Sequence, residues 1–193
     1  MNLDTTLDSF SLSRSLSRNL SSFVDLFEKW NRSINLSAAS TRAELVEHLV
    51  DSLHVVPHLR DRSRVLDVGS GGGFPVVVAA ICLPDASFTS LEPVHKKHAF
   101  LRTAARELKL ANLDPYAQRL DDHTARDYDA AMSRATFDLV EWLALGRSFI
   151  NEQGIVLGFE AIPRSDLPAN VERHPYALAD KQRAILLAHG GAP

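Results

Sequence analysis

The chain carries a glycine-rich turn, Asp67-Val68-Gly69-Ser70-Gly71-Gly72-Gly73, between two apolar segments. Val65–Val68 before the turn predicts a short buried strand, and Pro75–Leu83 after it predicts a buried helix. Alternating glycines permit positive φ angles and let a ligand approach the backbone with no Cβ in the way. Because open α/β sheets bind ligands at the carboxyl ends of their strands, we expect this turn to form part of a binding site.

Strand and helix patterns alternate along the rest of the chain. The predicted strands cover residues 65–68, 87–91, a weak segment near Tyr116, and then 128–132, 154–159 and 183–188. The predicted helices between them cover residues 75–83, 96–110 and 137–149, and residues 161–171 are predicted to form a long loop. Strands that alternate with helices predict an α/β fold with a doubly wound, mostly parallel sheet.

Two amphipathic segments precede the sheet. Apolar residues recur at helical spacing over residues 5–30, and a second helix is predicted over Ala43–Val56. Thr41 and Glu44 have the spacing of a capping box at the start of that second helix. We therefore expect an N-terminal helical extension, residues 1–60, packed on a core domain of residues 61–193.

Size, cysteine content and hydropathy limit the class of protein. A chain of 193 residues is typical of one domain with one core. Cys82 is the only cysteine, so no intramolecular disulfide can form, and a reducing compartment is expected. The longest apolar run, residues 76–83, is too short to span a bilayer, and Asp4 and Asp8 argue against a signal peptide. We expect a cytoplasmic protein with no membrane segment.

The charge of the chain does not by itself predict a nucleic-acid partner. The formal net charge is −3, and residues 121–193 contain seven basic and eleven acidic residues. Nucleic-acid-binding proteins usually present a basic surface. An RNA partner therefore needs support from other features of the sequence.

The spacing of the glycine turn narrows the choice of ligand. A dinucleotide fingerprint needs glycine at position 74, where this chain has Phe74, and a phosphate-binding P-loop needs a lysine that the turn lacks. The pattern Asp-x-Gly-x-Gly-x-Gly is that of methyltransferases that use S-adenosylmethionine. The residues predicted to bind this cofactor in the turn are Asp67, Gly69, Ser70, Gly71 and Gly73.

An acidic residue follows the second predicted strand. Glu92 comes directly after residues 87–91 and is expected at the carboxyl edge of the sheet, beside the glycine turn. A carboxylate there can accept hydrogen bonds from two ribose hydroxyls. The alternative is a surface carboxylate at a strand end, and the glycine turn upstream favours the ribose.

Around the turn, the chain carries an ordered series of short motifs. They are Trp30-Asn31, Asn35-Leu36-Ser37-Ala38, His48-Leu49-Val50-Asp51-Ser52-Leu53, Phe74-Pro75 and Ser133-Arg134-Ala135. From about Leu20 to Phe159, this series resembles the bacterial small-subunit ribosomal RNA guanine-N7 methyltransferase family, known as RsmG or GidB. The N-terminal motifs and the Ser-Arg-Ala triplet are the specific part, because the glycine turn fits many methyltransferases.

The resemblance implies a cytoplasmic enzyme that transfers a methyl group from S-adenosylmethionine to N7 of a guanine in 16S ribosomal RNA. It also implies a seven-stranded class I methyltransferase sheet. By position, Gly69 and Phe74 would contact the cofactor, and Leu120 and Asp121 would flank its adenine. Arg134 would lie at the mouth of the site and count among the cofactor-binding residues.

The chain departs from the family pattern at three places. Glu92-Pro93 replaces Asp-Ser after the second strand, which keeps the carboxylate and lengthens its reach. Glu160-Ala161 replaces Lys-Gly, and an anion in place of a cation would disfavour a phosphate neighbour. Pro115 lies in the expected third strand, where it predicts a demoted strand or a bulge.

The reaction that the resemblance implies needs little acid–base chemistry. Guanine N7 has a free lone pair, so attack on a sulfonium methyl requires no general base, and catalysis is mostly positioning. We expect Arg134 to engage the guanine or its phosphate, with a surface salt bridge as the alternative. Asn35 or Asn31 is expected to hold the acceptor loop, with helix-end capping as the alternative.

The helix before residue 60 carries several titratable residues without a predicted catalytic role. His48 and Asp51 are expected to dock their helix on the sheet. His54 and His58 share a helix face, but no third ligand has suitable spacing, so no metal site is predicted.

The helix after Glu92 is the predicted RNA face, with a solvated charged surface as the alternative. Its basic residues are Lys96, Lys97, Arg102, Arg106 and Lys109. Two other functions remain open, a methyltransferase of a small molecule and a non-catalytic module that binds S-adenosylmethionine. A monomer is expected.

Overall fold

The computed structural model describes residues 3–39 and 41–191. Seven strands form one sheet: β1 (Arg64–Val68), β2 (Ser87–Leu91), β3 (Leu113–Tyr116), β4 (Tyr128–Ser133), β5 (Ile150–Glu160), β6 (Glu172–Leu178) and β7 (Lys181–His189). Their order is β3-β2-β1-β4-β5-β7-β6. The first five are parallel, and β7 lies antiparallel between β5 and β6. The prediction of a doubly wound, mostly parallel sheet is confirmed.

Helices cover both faces of the sheet. They are α1 (Leu3–Ser9), α2 (Ser17–Ile34), α3 (Arg42–Leu53), α4 (Val56–Leu59), α5 (Val76–Cys82), α6 (His95–Glu107) and α7 (Leu139–Leu145). Side chains alternate between the faces along each strand, so Val65 packs with α1–α6 and Leu66 packs with α7. The four N-terminal helices therefore share one apolar core with the sheet.

The N-terminal segment differs from the continuous helix predicted over residues 5–30. A 3₁₀ turn at Arg14–Leu16 separates α1 from α2. The Ser13 hydroxyl accepts a hydrogen bond from the Ser15 N–H, 3.2 Å away. The prediction was wrong here because serine side chains compete for the backbone hydrogen bonds of a helix.

The capping box at the start of α3 is confirmed. The Thr41 hydroxyl accepts from the Glu44 N–H at 3.3 Å, and the Glu44 carboxylate accepts from the Thr41 N–H at 3.0 Å. The helix ends at Leu53, and α4 begins at Val56, so the predicted helix of residues 43–56 runs too far.

Both edge strands contain a proline. Pro115 lies in β3 and Pro175 in β6. Each of these edge strands has a neighbour on one side only, so the sheet tolerates a residue that lacks a backbone N–H. The strand patterns in the sequence do not predict β6, because most of its residues are exposed and polar. In the described part of the chain, no helix is long and apolar enough to cross a membrane.

Candidate active site

The glycine turn lies where β1 ends, and its glycines serve different purposes. Gly69, Gly71 and Gly73 have φ angles of 70°, 54° and 85°. A Cβ on Gly71 would meet nothing closer than the Gly69 carbonyl oxygen at 3.8 Å, so this position opens to a cavity. A Cβ on Gly73 would lie 2.5 Å from Val77, so this glycine allows α5 to pack closely. Gly69 faces the loop after β4, since its Cβ would lie 2.1 Å from the Thr136 hydroxyl.

Glu92 is buried beside the turn, as its position after β2 predicts. One carboxylate oxygen accepts from the Gly71 N–H at 2.7 Å, and the other accepts from the Val94 N–H at 2.8 Å. Each oxygen keeps a second lone-pair direction for a ligand. Glu92 therefore fixes the backbone of the turn and lines the same cavity.

Asp67 is the unusual group of this region. Its side chain is buried at 1% exposure, and neither carboxylate oxygen has a hydrogen-bond partner in the described residues. Burial raises its pKa to about 7. An unpaired buried carboxylate costs free energy unless a donor or a cation completes it. The group thus fits a cationic ligand next to the turn.

Two connected cavities follow the carboxyl ends of β1 and β2. The larger, about 380 Å³, is lined by the turn, Phe74, Glu92, Ser37 and Arg134. The smaller, about 180 Å³, is lined by residues that include Leu91, Leu120, Asp121 and Phe137. The two cavities share Gly69, Pro93 and Thr136. Together we call them the cofactor cavity.

A third cavity, of about 330 Å³, adjoins the larger part of the cofactor cavity. Its lining combines side chains from five elements, namely His48, Asp51, Ser133, Arg134, Ala135, Phe137, Leu139, Trp142, Phe159, Ala161 and Arg183. It shares Arg134, Ala135 and Phe137 with the cofactor cavity. We call it the acceptor cavity.

Arg134 lies between the two cavities. Its guanidinium donates to the Asp51 carboxylate at 3.3 Å, and its side chain is 21% exposed. The guanidinium carbon lies 5.7 Å from the Phe74 ring centroid and 6.0 Å from that of Phe159. Burial lowers the pKa of this arginine, and the charge of Asp51 opposes that shift. The packing holds the guanidinium in one place with a face toward each cavity.

Asp51 is the centre of a buried polar cluster that sequence patterns only partly indicated. Its second oxygen accepts from the Tyr176 hydroxyl at 2.8 Å and lies 3.9 Å from the Arg183 Nε. His48, one turn earlier on α3, lines the same cavity, and burial lowers its pKa. The expected docking of α3 on the sheet thus also builds a cavity wall. Tyr176 and Arg183 come from β6 and β7, and no local motif marks them.

The asparagines of the N-terminal motifs lie at the end of α2. Asn35 is exposed and forms the C-cap, with a left-handed φ of 52°. The Asn31 side chain donates to the Ala39 carbonyl at 2.9 Å and accepts from the Ser37 N–H at 3.0 Å. These contacts shape the loop whose Leu36 and Ser37 line the cofactor cavity.

The five basic residues predicted for the RNA face divide into two groups, and the last of them, Lys109, follows the end of α6. Lys97 is half-buried and lines the cofactor cavity. The remaining four, Lys96, Arg102, Arg106 and Lys109, are exposed. The outer surface of α6 is therefore basic, with Lys97 turned toward the site.

Glu160 does not add an uncompensated anion to the site. Its carboxylate is 1% exposed, pairs with Arg173 at 2.5 Å and accepts from the Arg164 N–H at 2.8 Å. Through these two contacts, the Glu160 carboxylate connects the loop after β5, at Arg164, to β6, at Arg173. In the residues described, no group of three or more His, Cys, Asp or Glu is placed to hold a metal ion.

Comparison with known proteins shows the family of the chain. Residues 16–177 match the sequence model of the GidB family, described as rRNA small subunit methyltransferase G. The ribosomal RNA small subunit methyltransferase G of Aromatoleum aromaticum is 36% identical over 177 residues, covering 85% of this chain and 84% of that protein. The protein of the same name from Burkholderia ambifaria is 40% identical over 152 residues, covering 75% of this chain and 67% of that protein.

Solved structures with the same fold are more distant in sequence. The O-methyltransferase TomG from Streptomyces achromogenes, solved in complex with SAM, has a TM-score of 0.61 at 15% identity, covering 98% of this chain and 96% of that one. The tRNA (m1A58) methyltransferase TrmI from Aquifex aeolicus has a TM-score of 0.52 at 16% identity, covering 71% and 66%. This chain belongs to the GidB family of small-subunit rRNA methyltransferases and has the fold of SAM-dependent methyltransferases.

Proposed function

We propose that the chain transfers the methyl group of S-adenosylmethionine to N7 of a guanine in 16S ribosomal RNA. One observation carries the proposal: a cofactor cavity along the glycine turn meets a second, nucleotide-sized cavity at Arg134. Methyl transfer needs two binding sites that meet at one point, because donor and acceptor must react in line. Membership of the family supplies the rRNA as acceptor.

The residues of the cofactor cavity, together with the buried Asp67 in β1, fit S-adenosylmethionine. Asp67 pairs with the ammonium group of its methionyl end, which supplies the partner that the buried carboxylate lacks. Glu92 accepts from the ribose hydroxyls with its free lone pairs. Leu120 packs on the adenine, and Asp121 flanks it at the rim. Gly69, Ser70 and Gly71 present backbone without side-chain bulk along the cofactor, with Phe74 beneath.

When bound, S-adenosylmethionine supplies a methyl group activated by a positive sulfonium. Guanine N7 attacks with its own lone pair, so no residue of the chain has to remove a proton. The task of the protein is to hold N7 in line and exclude water. Aromatic and apolar side chains of the acceptor cavity, among them Phe137 and Phe159, provide surfaces on which an unstacked base can rest.

Arg134 positions the acceptor at the junction of the cavities. Its guanidinium is fixed by Asp51 and can donate to the guanine or to its phosphate. Asn35 contributes to acceptor positioning through the loop that begins at it, after the end of α2. Asn31 orders that loop. Residues 1–60 serve as an extension that closes one side of the cofactor cavity, since Phe27, Leu36 and Ser37 line it.

The outer surface of α6 extends the RNA-binding region. Lys96, Arg102, Arg106 and Lys109 are exposed there and can contact phosphates, with Lys97 nearer the cofactor. With rRNA as the substrate, we infer that the enzyme acts in the cytoplasm, and we propose that it acts as a monomer.

The test is transfer of labelled methyl from S-adenosylmethionine to small ribosomal subunits that lack guanine-N7 methylation, beside deproteinised RNA. We expect label in one guanine, and loss of that label in the Arg134→Ala protein. Cofactor binding without transfer to either RNA form would reject the rRNA assignment and favour a small-molecule acceptor or a binding role.

A further inference from the structure

The acceptor cavity contains an arginine whose charge is only partly compensated. Arg183 projects from β7 into the cavity, and its side chain is 22% exposed. Its Nε is buried and has no hydrogen-bond partner among residues 3–39 and 41–191. The nearest carboxylate oxygen, on Asp51, is 3.9 Å away and already accepts from Tyr176.

The charges that line the cavity do not balance. Arg134 and Arg183 contribute two positive charges, and Asp51 contributes one negative charge. Asp67 lies outside the lining, and its carboxyl acts electrostatically on Arg134, which already pairs with Asp51. An unmet guanidinium N–H destabilises the folded protein, and an anion bound by this guanidinium would offset that cost. Guanidinium groups bind phosphate well because their N–H groups match its oxygens.

The placement of the two arginines orients a nucleotide. Asp51 lies between them, with one oxygen toward Arg134 and the other toward Arg183. Only Arg134 borders the cofactor cavity as well, so the base must enter on its side. A hydrogen bond from Arg183 to N7 would occupy the reacting lone pair. Arg183 is therefore expected to contact the sugar-phosphate end of the nucleotide and not its base.

We propose that Arg183 binds the phosphate group of the nucleotide whose base occupies the acceptor cavity. This inference rests on the proposed function and adds a substrate-binding residue to it. The cavity volume of about 330 Å³ suits one nucleotide. Arg183 lies on β7, beyond the residues matched by the family model, which end at 177.

The experiment compares three probes by calorimetry in the presence of S-adenosylhomocysteine: 5′-GMP, guanosine and inorganic phosphate. We expect wild type to bind 5′-GMP about 10- to 100-fold more tightly than guanosine, as a charge-assisted hydrogen bond provides. Arg183→Gln abolishes that difference and leaves guanosine affinity unchanged, and Arg183→Lys restores part of it. Inorganic phosphate binds weakly, because it lacks the base.

Lys181→Gln is the matched control, since it removes the same charge from the same strand and pairs with Glu47 outside the cavity. It should leave the preference for 5′-GMP intact. Equal binding of 5′-GMP and guanosine to wild type, or no binding of 5′-GMP at millimolar concentration, overturns the proposal. So does an Arg183→Gln protein that loses S-adenosylhomocysteine affinity instead.

Methyl transfer to small subunits separates this inference from the proposed function. If the proposed function and the role of Arg183 are both correct, Arg183→Gln raises KM about tenfold or more with kcat little changed. Failure of the wild-type protein to methylate subunits would reject the proposed function, whatever the nucleotide titrations give. Wild-type transfer with an unchanged KM in Arg183→Gln would reject only the role of Arg183.

Discussion

The cofactor side and the acceptor side of the site each contain one buried aspartate, and the two residues differ in their partners. Asp67 has no hydrogen-bond partner for its carboxylate in the described chain, although it is fully buried. Asp51 is equally buried and contacts Arg134, Tyr176 and Arg183. We propose that the Asp67 carboxylate pairs with a ligand, whereas the Asp51 carboxylate forms part of the wall of the acceptor cavity. Substitution of each should therefore affect binding and stability in different ways.

The largest effect is expected from Asp67→Asn. Loss of the partner for a cofactor ammonium in a buried site should weaken S-adenosylmethionine about 100- to 1,000-fold, as measured by calorimetry. Unliganded protein should instead become more stable at pH 8, because the variant no longer buries a carboxylate whose pKa is raised to about 7.

The sign of that stability change depends on pH. In the unfolded chain the Asp67 carboxyl ionises near its ordinary pKa of 3.8, and in the folded protein only near 7. Wild-type stability therefore falls as pH rises between these values, by up to about 4 kcal/mol, and Asn removes this loss. Melting at pH 5 and pH 8 measures it. An equal stability difference at both pH values would contradict the assignment.

Asp129→Asn is the control, because the pKa of Asp129 is lowered in the folded protein whereas that of Asp67 is raised. Burial alone would raise the pKa of Asp129, but hydrogen bonds from the Arg64 and Ser63 N–H groups and from Asn151 lower it overall. Its ionised form stabilises the fold above its ordinary pKa. The variant should thus lose stability at pH 8 and keep its cofactor affinity.

The second effect in size is expected from Asp51→Asn on the acceptor side. Two half-buried guanidiniums would then lose the carboxylate between them, which should cost about 3 kcal/mol of unfolding free energy. Displacement of Arg134 should also lower kcat/KM about 100-fold, with cofactor affinity changed far less. Chemical denaturation and steady-state kinetics measure the two quantities.

Glu47→Gln on the same helix serves for comparison. Glu47 pairs with Lys181 near the surface, with side-chain exposures of 31% and 51%, so its loss should cost less than about 1 kcal/mol. Similar costs for the two variants would show that Asp51 contributes no more than a surface ion pair.

A third, smaller effect distinguishes two glycines within the turn. Gly73→Ala places its Cβ against Val77 at a φ of 85°, so it should destabilise the protein by about 2–4 kcal/mol. Gly71→Ala carries the cost of the positive φ alone, about 1 kcal/mol, but its Cβ enters the cofactor cavity. Thermal melting with cofactor titration should show mainly lost stability in the first and about tenfold lost affinity in the second. Lost affinity in Gly73→Ala and lost stability in Gly71→Ala would contradict these assignments.

The same contrast explains what the sequence could and could not predict. The centre of the cofactor side is built from two short segments, 67–74 and 91–92, and a glycine turn between a strand and a helix can be predicted from the local sequence. The acceptor cavity needs side chains from α3, β4, α7, β5 and β7, and their meeting depends on the sheet order. Arg134 was predicted through its motif, whereas Tyr176 and Arg183 belong to no motif.

Edge strands show the same limit in the fold. The inner strands β1 and β4 are apolar and were predicted within a residue of their bounds. The edge strand β6 is exposed and contains Pro175, so its period-2 pattern is absent although its backbone pairs fully with β7. The alternation of apolar and polar residues in a sequence reflects which side chains are buried, so a mostly exposed strand does not show it.

The smallest effects on binding are expected at the start of α6, where the cofactor cavity borders the proposed RNA surface. Lys96 is exposed and Lys97 lines the cofactor cavity, so adjacent lysines belong to different regions. Lys96→Gln should reduce the slope of log K for RNA against log salt by about 0.7–0.9, the contribution of one phosphate contact, and leave cofactor affinity unchanged. Lys97→Gln should weaken S-adenosylhomocysteine two- to fivefold, because an N–H donor is lost from the cavity, and leave the slope as it is. If both variants change only the slope, the whole of α6 belongs to the RNA surface, and the boundary between the regions lies at Glu92 instead.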